Sequence, residues 1–345
     1  MKKINFIFAM VFTAGIAMAQ SNKSTITVNG SKNDASISQV GLDNFTNLNQ
    51  KNSNTANVLQ QGNSNILKNY DSNGGKLTSA AFQSKGNTLD VMQVGNNNVV
   101  GLNQDSHKMD AIIYQTGNDN KAEVKQGHYG DNALVLHQGS NNYAKVVQAY
   151  GITRQKNIAF SLVKGNKNGD GTKGDRWMNV TQLGADNDAV TSIIGNLNDA
   201  DIYQMGNTNS ASADIVGSKN IINVSQTVYH NTSLSTIEGE LNTVNVKQWG
   251  YKNNSFNSLE GDSNTVEIIQ LGAENNNSNW TDADESDSSN DLNTFTVTQS
   301  GSDNTNDNYL MHGDSNTFTV NQGKSGNSSI NTITGNSNSS IVSQN

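Results

Sequence analysis

The chain has 345 residues, is 33% hydrophobic, and holds 31 glycines, 58 asparagines, no proline and no cysteine. Without cysteine there is no disulfide framework, thiol nucleophile or cysteine-ligated metal. Low hydrophobicity, 15% charged residues and a net charge of −8 argue against an ordinary globular enzyme and against a nucleic-acid partner, which needs a basic face. Disorder and an ordered repeat are the two readings such a composition leaves, and periodicity decides between them. Proline removes a backbone donor and breaks a β-ladder, so its absence fits a chain that pairs nearly every backbone N–H.

Lys2 and Lys3, an apolar stretch from Ile4 to Ile16, and Ala17-Met18-Ala19 form the pattern of a secretory signal peptide over 1–19. Cleavage there leaves Gln20 first, with 20–29 as a short N-terminal segment and 30–345 as a repeat region. The apolar stretch is too short for a spanning helix and no other segment approaches the needed length, so no transmembrane segment is expected. The leader holds two of the 22 basic and none of the 30 acidic residues, which leaves 20 against 30, a net −10.

From Gly30 onward one skeleton recurs, Q-x-G-x-x-N-x-A-x-V-x-Q, clearest at Gln115-Gly117-Asn120-Ala122-Val124-Gln126. It returns at Gln39-Gly41-Asn44-Gln50, Gln93-Gly95-Asn98-Gln104, Gln182-Gly184-Asn187, Gln204-Gly206-Asn209, Gln248-Gly250 and Gln270-Gly272. Gln60, Gln148, Gln226, Gln299 and Gln322 keep the same place. The glycine position steps by 11 residues from Gly184 through Gly195, Gly206, Gly217, Val228, Gly239, Gly250 and Gly261 to Gly272. Such register identifies an ordered repeat of 22 residues made of two half-units, with roughly 27 half-units and 13 full repeats.

Each half-unit predicts one turn and one strand. Glycine and nearby asparagine supply the positive φ of the turn. The following segment alternates with period two: Asn220-Ile222-Val224-Gln226 and Asn242-Val244-Val246-Gln248 point inward, and polar residues such as Lys121, Glu123 and Lys125 point out. A lone buried amide left unpaired costs about 1–3 kcal/mol. Strands stacked ~4.8 Å apart let each amide donate to one neighbour and accept from the other, an Asn/Gln ladder. The expected fold is all-β: a β-solenoid of strand-turn-strand rungs, cross-β in character, about 60 Å long. Gly139 to Gly184 spans 45 residues and reads as four half-units, with longer loops near Tyr150 to Lys156 and Gly165 to Arg176. The interval from Gly272 to Asn290 is 18 residues, its surplus absorbed by the acidic Asp282 to Ser289.

The motif S/N-x5-Q-x-G-x-x-N-x-A-x3-Q, over about residues 30 to 344, resembles the repeat of curlins, the subunits of bacterial curli fibres. The resemblance implies a secreted, non-enzymatic subunit that self-assembles outside the cell into amyloid fibres for adhesion and biofilm matrix. It also implies a nucleator or other curlin subunit and a dedicated outer-membrane secretion channel as partners, and no cofactor. The chain departs from the familiar pattern in having over twice the usual repeats and in replacing glutamine by His137, Ile193, Ile215, Ile237 and Leu259. The final unit, Gly335-Asn338-Ser340-Val342-Gln344, stays in pattern, and uncapped edges that fit one another make an open filament.

Other features are weaker. No nucleophile–base or paired-carboxylate set recurs, so no catalytic residue is assigned. His137 reads as an amide substitute in the ladder. Asn166 to Gly171 partly matches a calcium loop, but Trp177 stands where a glutamate belongs, and a plain turn is preferred. Thr294, Thr296, Thr298, Thr317 and Thr319 form a fragment of an outward threonine ladder, which keeps an ice-binding solenoid as an alternative, beside a monomeric solenoid adhesin. Trp177, Trp249 and Trp280 fall next to turns.

Overall fold

A computed structural model describes residues 21–69, 80–149, 156–169, 178–281 and 291–345. The predicted leader, the acidic segment 282–289, Trp177 and most of the two longer loops lie outside the described residues. All regular elements described are strands, 28 in number, in two parallel sheets of 15 and 13 strands. Successive strands go alternately to the first sheet, which runs from Lys23–Asn29 to Ser339–Gln344, and to the second, from Asp34–Val40 to Ser328–Thr334. Ile66–Asn69 and Ala81–Lys85 share one level, since both lie between Phe45–Lys51 and Val99–His107. The first sheet therefore has 14 levels and the second 13. The chain is a β-solenoid of about 13 turns.

Parallel pairing at a fixed 22-residue offset follows from the repeat. In the regular central run Thr243–Tyr251 lies on Ile221–Tyr229 with Val244 over Ile222, Val246 over Val224 and Gln248 over Gln226. Because the side-chain period is two, one register error would turn the whole apolar set to water. The two inner faces enclose one continuous core from Leu48 to Ile333, mostly alanine, valine, isoleucine and leucine. Phe295 and Phe318 stack within it, ring centroids 4.7 Å apart and nearly coplanar at 6°. Small and branched residues suit the narrow gap between sheets that are joined by short turns on both sides.

Three details differ from the sequence reading. Gly139 to Gly184 holds three strands, Tyr143–Ala149, Ile158–Lys164 and Met178–Ala185, where its length reads as four half-units. Its surplus residues lie between these strands. Lys23–Asn29, within the short N-terminal segment, is a strand paired with Phe45–Lys51. The positive φ of the turns also falls mainly elsewhere than on asparagine. It sits on glycine and on the residue just before each inward asparagine, for example Leu197, Lys219, Leu241 and Ser263, all near +60°. The inward asparagines are occupied with hydrogen bonds between rungs.

Glycine itself is required by stacking. At Gly250, with φ +140°, an added Cβ would lie 1.7 Å from the Gly272 carbonyl oxygen one rung on. Val228 is the one branched residue in this column and carries φ +85°.

Candidate functional site

The polar interior and the open edges are the features with chemistry. In the first sheet Gln50, Gln83, Gln104, Gln126, Gln148, Gln182, Gln204, Gln226, Gln248, Gln270, Gln299, Gln322 and Gln344 form one unbroken column. Each Nε2 donates to the Oε1 of the next rung at 2.8–3.1 Å. The second N–H of these amides goes across the core to the backbone of the other sheet. Gln204, Gln226 and Gln248 donate to the carbonyls of Asp188, Ser210 and Thr232, each at 2.8 Å. The column thus ties the sheets together as well as the rungs.

The second sheet differs. Gln39, Gln60, Gln93 and Gln115 are linked at 2.7–3.0 Å, and there the amides stop. The same register continues through His137, Val163, Ile193, Ile215, Ile237 and Leu259. The replacements seen in the sequence all fall on this one sheet. His137 occupies the ladder place without performing its bonding: it is buried, and neither ring nitrogen has a hydrogen-bond partner. Burial pushes its pKa down from 6.5 to about 3.

Asparagine makes a second pair of columns, one at each edge of the core. Asn44, Asn65, Asn98, Asn120 and Asn142 precede first-sheet strands. Asn187, Asn209, Asn231, Asn253 and Asn275 precede second-sheet strands. Each asparagine donates its backbone N–H, and in most rungs its Nδ2, to the Oδ1 of the rung before. Asn98 on Asn65, Asn120 on Asn98 and Asn209 on Asn187 show both bonds at 3.0–3.2 Å. Nδ2 also reaches the turn carbonyl of the next rung, as from Asn98 to Gly117, Asn120 to Gly139 and Asn187 to Gly206, each at 2.8 Å. Turn glycines and inward asparagines are therefore one motif: the glycine lets the turn approach, and the asparagine binds it. Gly41, Gly95, Gly117, Gly184, Gly206, Gly250 and Gly272 each lie under the carbonyl of the following turn.

Asp131 takes an asparagine's place. It is fully buried and accepts from Asn157 N and Nδ2 at 3.0 and 3.2 Å and from His128 N at 3.0 Å. Desolvation lifts its pKa from 3.8 to about 6, against the lowering effect of those hydrogen bonds and of His128.

Sequence reasoning missed a third set. In the last rungs of the second sheet the inward alanine and valine places hold serine and asparagine. Asn279 donates to Asn257 at 2.9 Å, Asn308 to Asn279 and Asn331 to Asn308 at 2.7 Å, and Asn306 to Asn277 at 2.9 Å. These amides face the apolar first-sheet wall that holds the Phe295–Phe318 stack. The signal was the period-two pairs Asn277-Asn279 and Asn306-Asn308, which continue the inward set.

The remaining candidates resolve simply. Asn166 and Asn168 belong to the stacked turns, Asn166 N donating to Asn196 Oδ1 and Asn168 Nδ2 to the Gly195 carbonyl, so both side chains lie in the repeat; the rest of that loop falls outside the described residues. Thr294 pairs with Thr317 and Thr296 with Thr319, but Glu267 lies beside Thr296 on one side and Ile341 beside Thr319 on the other. Trp249 and Trp280 are exposed. Among the described residues no cluster of three or more His, Asp or Glu could hold a metal, and no helix is long and apolar enough to cross a membrane.

The sequence model of the curlin associated repeat matches residues 86–127 and 195–227. No curated protein matches the chain. Both matched stretches lie in the same two sheets, in register with the rungs before and after them, and carry the glutamine and asparagine columns through. Over these two stretches the chain is similar to the curlin associated repeat, and the rungs around them continue the same register.

Proposed function

We propose that this protein is a secreted structural subunit that self-assembles into extracellular curli-like amyloid fibres serving adhesion and biofilm matrix. The observation that carries the reading is that, among the described residues, both edges are open. Lys23–Asn29 is exposed along its length, and Asp34–Val40 and Ser339–Gln344 at alternate residues, with parallel strands running straight into them and glutamine columns ending at Gln39 and Gln344. Unpaired strand edges are templates for another strand, and a rod whose two ends differ builds an open filament. The signal-peptide pattern at 1–19 supports export. The curlin repeat further supports a nucleating curlin subunit and a dedicated outer-membrane channel as partners, and a structural role without catalysis.

Purified chain, incubated with and without preformed seeds, tests this. The expected result is thioflavin-positive fibres, faster with seeds, with a reflection near ~4.7 Å along the fibre axis. A stably monomeric chain without that reflection refutes it and favours a monomeric adhesin.

A further inference from the structure

The level count has a consequence for how two copies meet. Among the described residues, 14 levels in one sheet and 13 in the other make a half-integer number of turns. A second copy set straight on the first, first sheet on first sheet, would put Lys23–Asn29 on Ser339–Gln344 and leave one second-sheet level empty at every junction. A copy turned by half a revolution about the rod axis leaves none empty. Its Lys23–Asn29 then follows Ser328–Thr334, and its Asp34–Val40 follows Ser339–Gln344.

The side chains at the edges discriminate between these two arrangements. Val28 lies in register with Gln50 and so occupies a glutamine place in the first sheet. As a result Gln50 Oε1 has no hydrogen-bond partner. Straight stacking would set this valine on Gln344 and strand a second amide. Half-turn stacking sets Val28 on Ile333, apolar on apolar, and Gln39 on Gln344, amide on amide. Gln344 Nε2 already donates to the Ser328 carbonyl at 2.9 Å and, as in every rung below, keeps a second N–H for the next Oε1. The asparagine columns agree. With the same offset Asn22 meets Asn327, Gly30 meets Gly335 and Asn33 meets Asn338. The Nδ2 atoms of Asn22 and Asn33 have no acceptor among the described residues, although their counterparts higher up donate to the asparagine below.

We infer that successive copies of this chain join with a half-turn about the fibre axis, the first sheet of each copy continuing the second sheet of the one before. This rests on the fibre reading above. Each sheet of the fibre then alternates, copy by copy, between the column that is glutamine from Gln50 onward and the mixed column that turns apolar after Gln115. Both changes of character, Val28 to Gln50 and Gln115 to His137, fall inside the chain. Neither falls on a junction.

The natural chain has no cysteine, so paired cysteines report the junction directly. Ser343 and Ser38 face outward and would be strand neighbours at a half-turn junction; Ser343 and Thr27 would be neighbours at a straight one. Neighbouring strands bring Cα atoms within disulfide range. Oxidised fibres of the S38C/S343C variant should give covalent dimers and higher multimers on a denaturing gel, and those of T27C/S343C should give monomer. Cross-linking of T27C/S343C, or failure of S38C/S343C to cross-link in well-formed fibres, overturns the half-turn junction and leaves the fibre reading standing. Absence of fibres from the natural chain defeats the fibre reading itself. A second measurement needs no disulfide. Val28→Gln should slow seeded elongation by about tenfold, the effect of one buried amide without a partner, and adding Ile333→Gln should restore the rate. Faster elongation by V28Q alone identifies straight stacking.

Discussion

Asp131 and His137 bracket one strand, and their buried sites give folding stability two opposed pH dependences. Asp131 titrates near pH 6 in the fold and at its ordinary 3.8 when unfolded. The fold therefore holds this proton more tightly, and stability declines as pH rises from about 4 to 6. The full penalty at pH 7 is about 3 kcal/mol, at 1.36 kcal/mol per pH unit. His137 titrates near 3 in the fold and at 6.5 when unfolded. Here the unfolded chain takes the proton first, so stability declines as pH falls from about 6.5 to 3, by about 5 kcal/mol in all. Between about pH 4 and 6 the two slopes oppose each other and nearly cancel. His137→Gln removes one slope and, by register, places an amide next to Gln115; relative to the natural chain its stability should rise by roughly 3 kcal/mol as pH drops from 6 to 4. Asp131→Asn removes the other slope and should lose a similar amount over the same interval, while gaining up to about 3 kcal/mol at pH 7. Guanidinium unfolding followed by circular dichroism, at concentrations below those that give fibres, measures all three chains. Relative slopes of the same sign in the two variants would refute the reasoning.

Other perturbations address the columns and the turns. Gln226→Met keeps the volume but removes three hydrogen bonds, leaving a Gln204 N–H and Gln248 Oε1 unpaired; unfolding free energy should drop by roughly 2–6 kcal/mol. Ile215→Met, in the apolar column opposite, should cost less than about 1.5 kcal/mol in the same measurement. Val246→Asp places charge in the core and should slow assembly strongly, whereas Lys247→Asp on the outer face should do much less; equal effects on thioflavin growth curves would contradict the assigned faces. Val228→Gly relieves a branched residue at φ +85° and should raise the unfolding midpoint, by about 1 kcal/mol in stability.

The solenoid was legible because two signals coincide: a step of 11 residues from Gly184 to Gly272 without a slip, and inward residues at period two within each step. The amide columns were legible for the same reason, since Gln204, Gln226, Gln248 and Gln270 recur where only stacking could satisfy them. Other features escaped for physical reasons. A 45-residue interval reads equally as four strands with one spare residue or as three strands with long loops, and only the pairing of Ile158–Lys164 with its neighbours settles it. The loss of glutamine at His137, Ile193, Ile215, Ile237 and Leu259 looked like scattered degeneracy. Ile193, Ile215, Ile237 and Leu259 are two half-units apart and His137 lies two rungs before Ile193 through Val163, so all fall in one column of one sheet. Asn279 and Asn308 fill places that the repeat gives to valine, and a polar residue at an apolar place looks like noise until its neighbours are known to stack on it. Nothing in the repeat singles out Asp131, whose burial comes from rungs on both sides.

The directions of the hydrogen bonds bear on how the proposed fibre would grow. Glutamine columns donate toward the C-terminal edge, from Gln322 to Gln344. Asparagine columns donate the other way, from Asn338 to Asn316 and from Asn327 to Asn304. The C-terminal edge therefore presents a glutamine donor with two asparagine acceptors, and the N-terminal edge presents a glutamine acceptor with two asparagine donors. Two C-terminal edges set face to face would oppose donor to donor in the glutamine column and acceptor to acceptor in the asparagine columns, and would also run the strands antiparallel against a parallel register. An end-to-end contact between unlike edges satisfies every column at once. In the proposed fibre the polarity of the side-chain bonds would thus select head-to-tail contact independently of shape, and the same kind of bond that holds Gln226 to Gln248 inside one chain would hold Gln344 to Gln39 of the next.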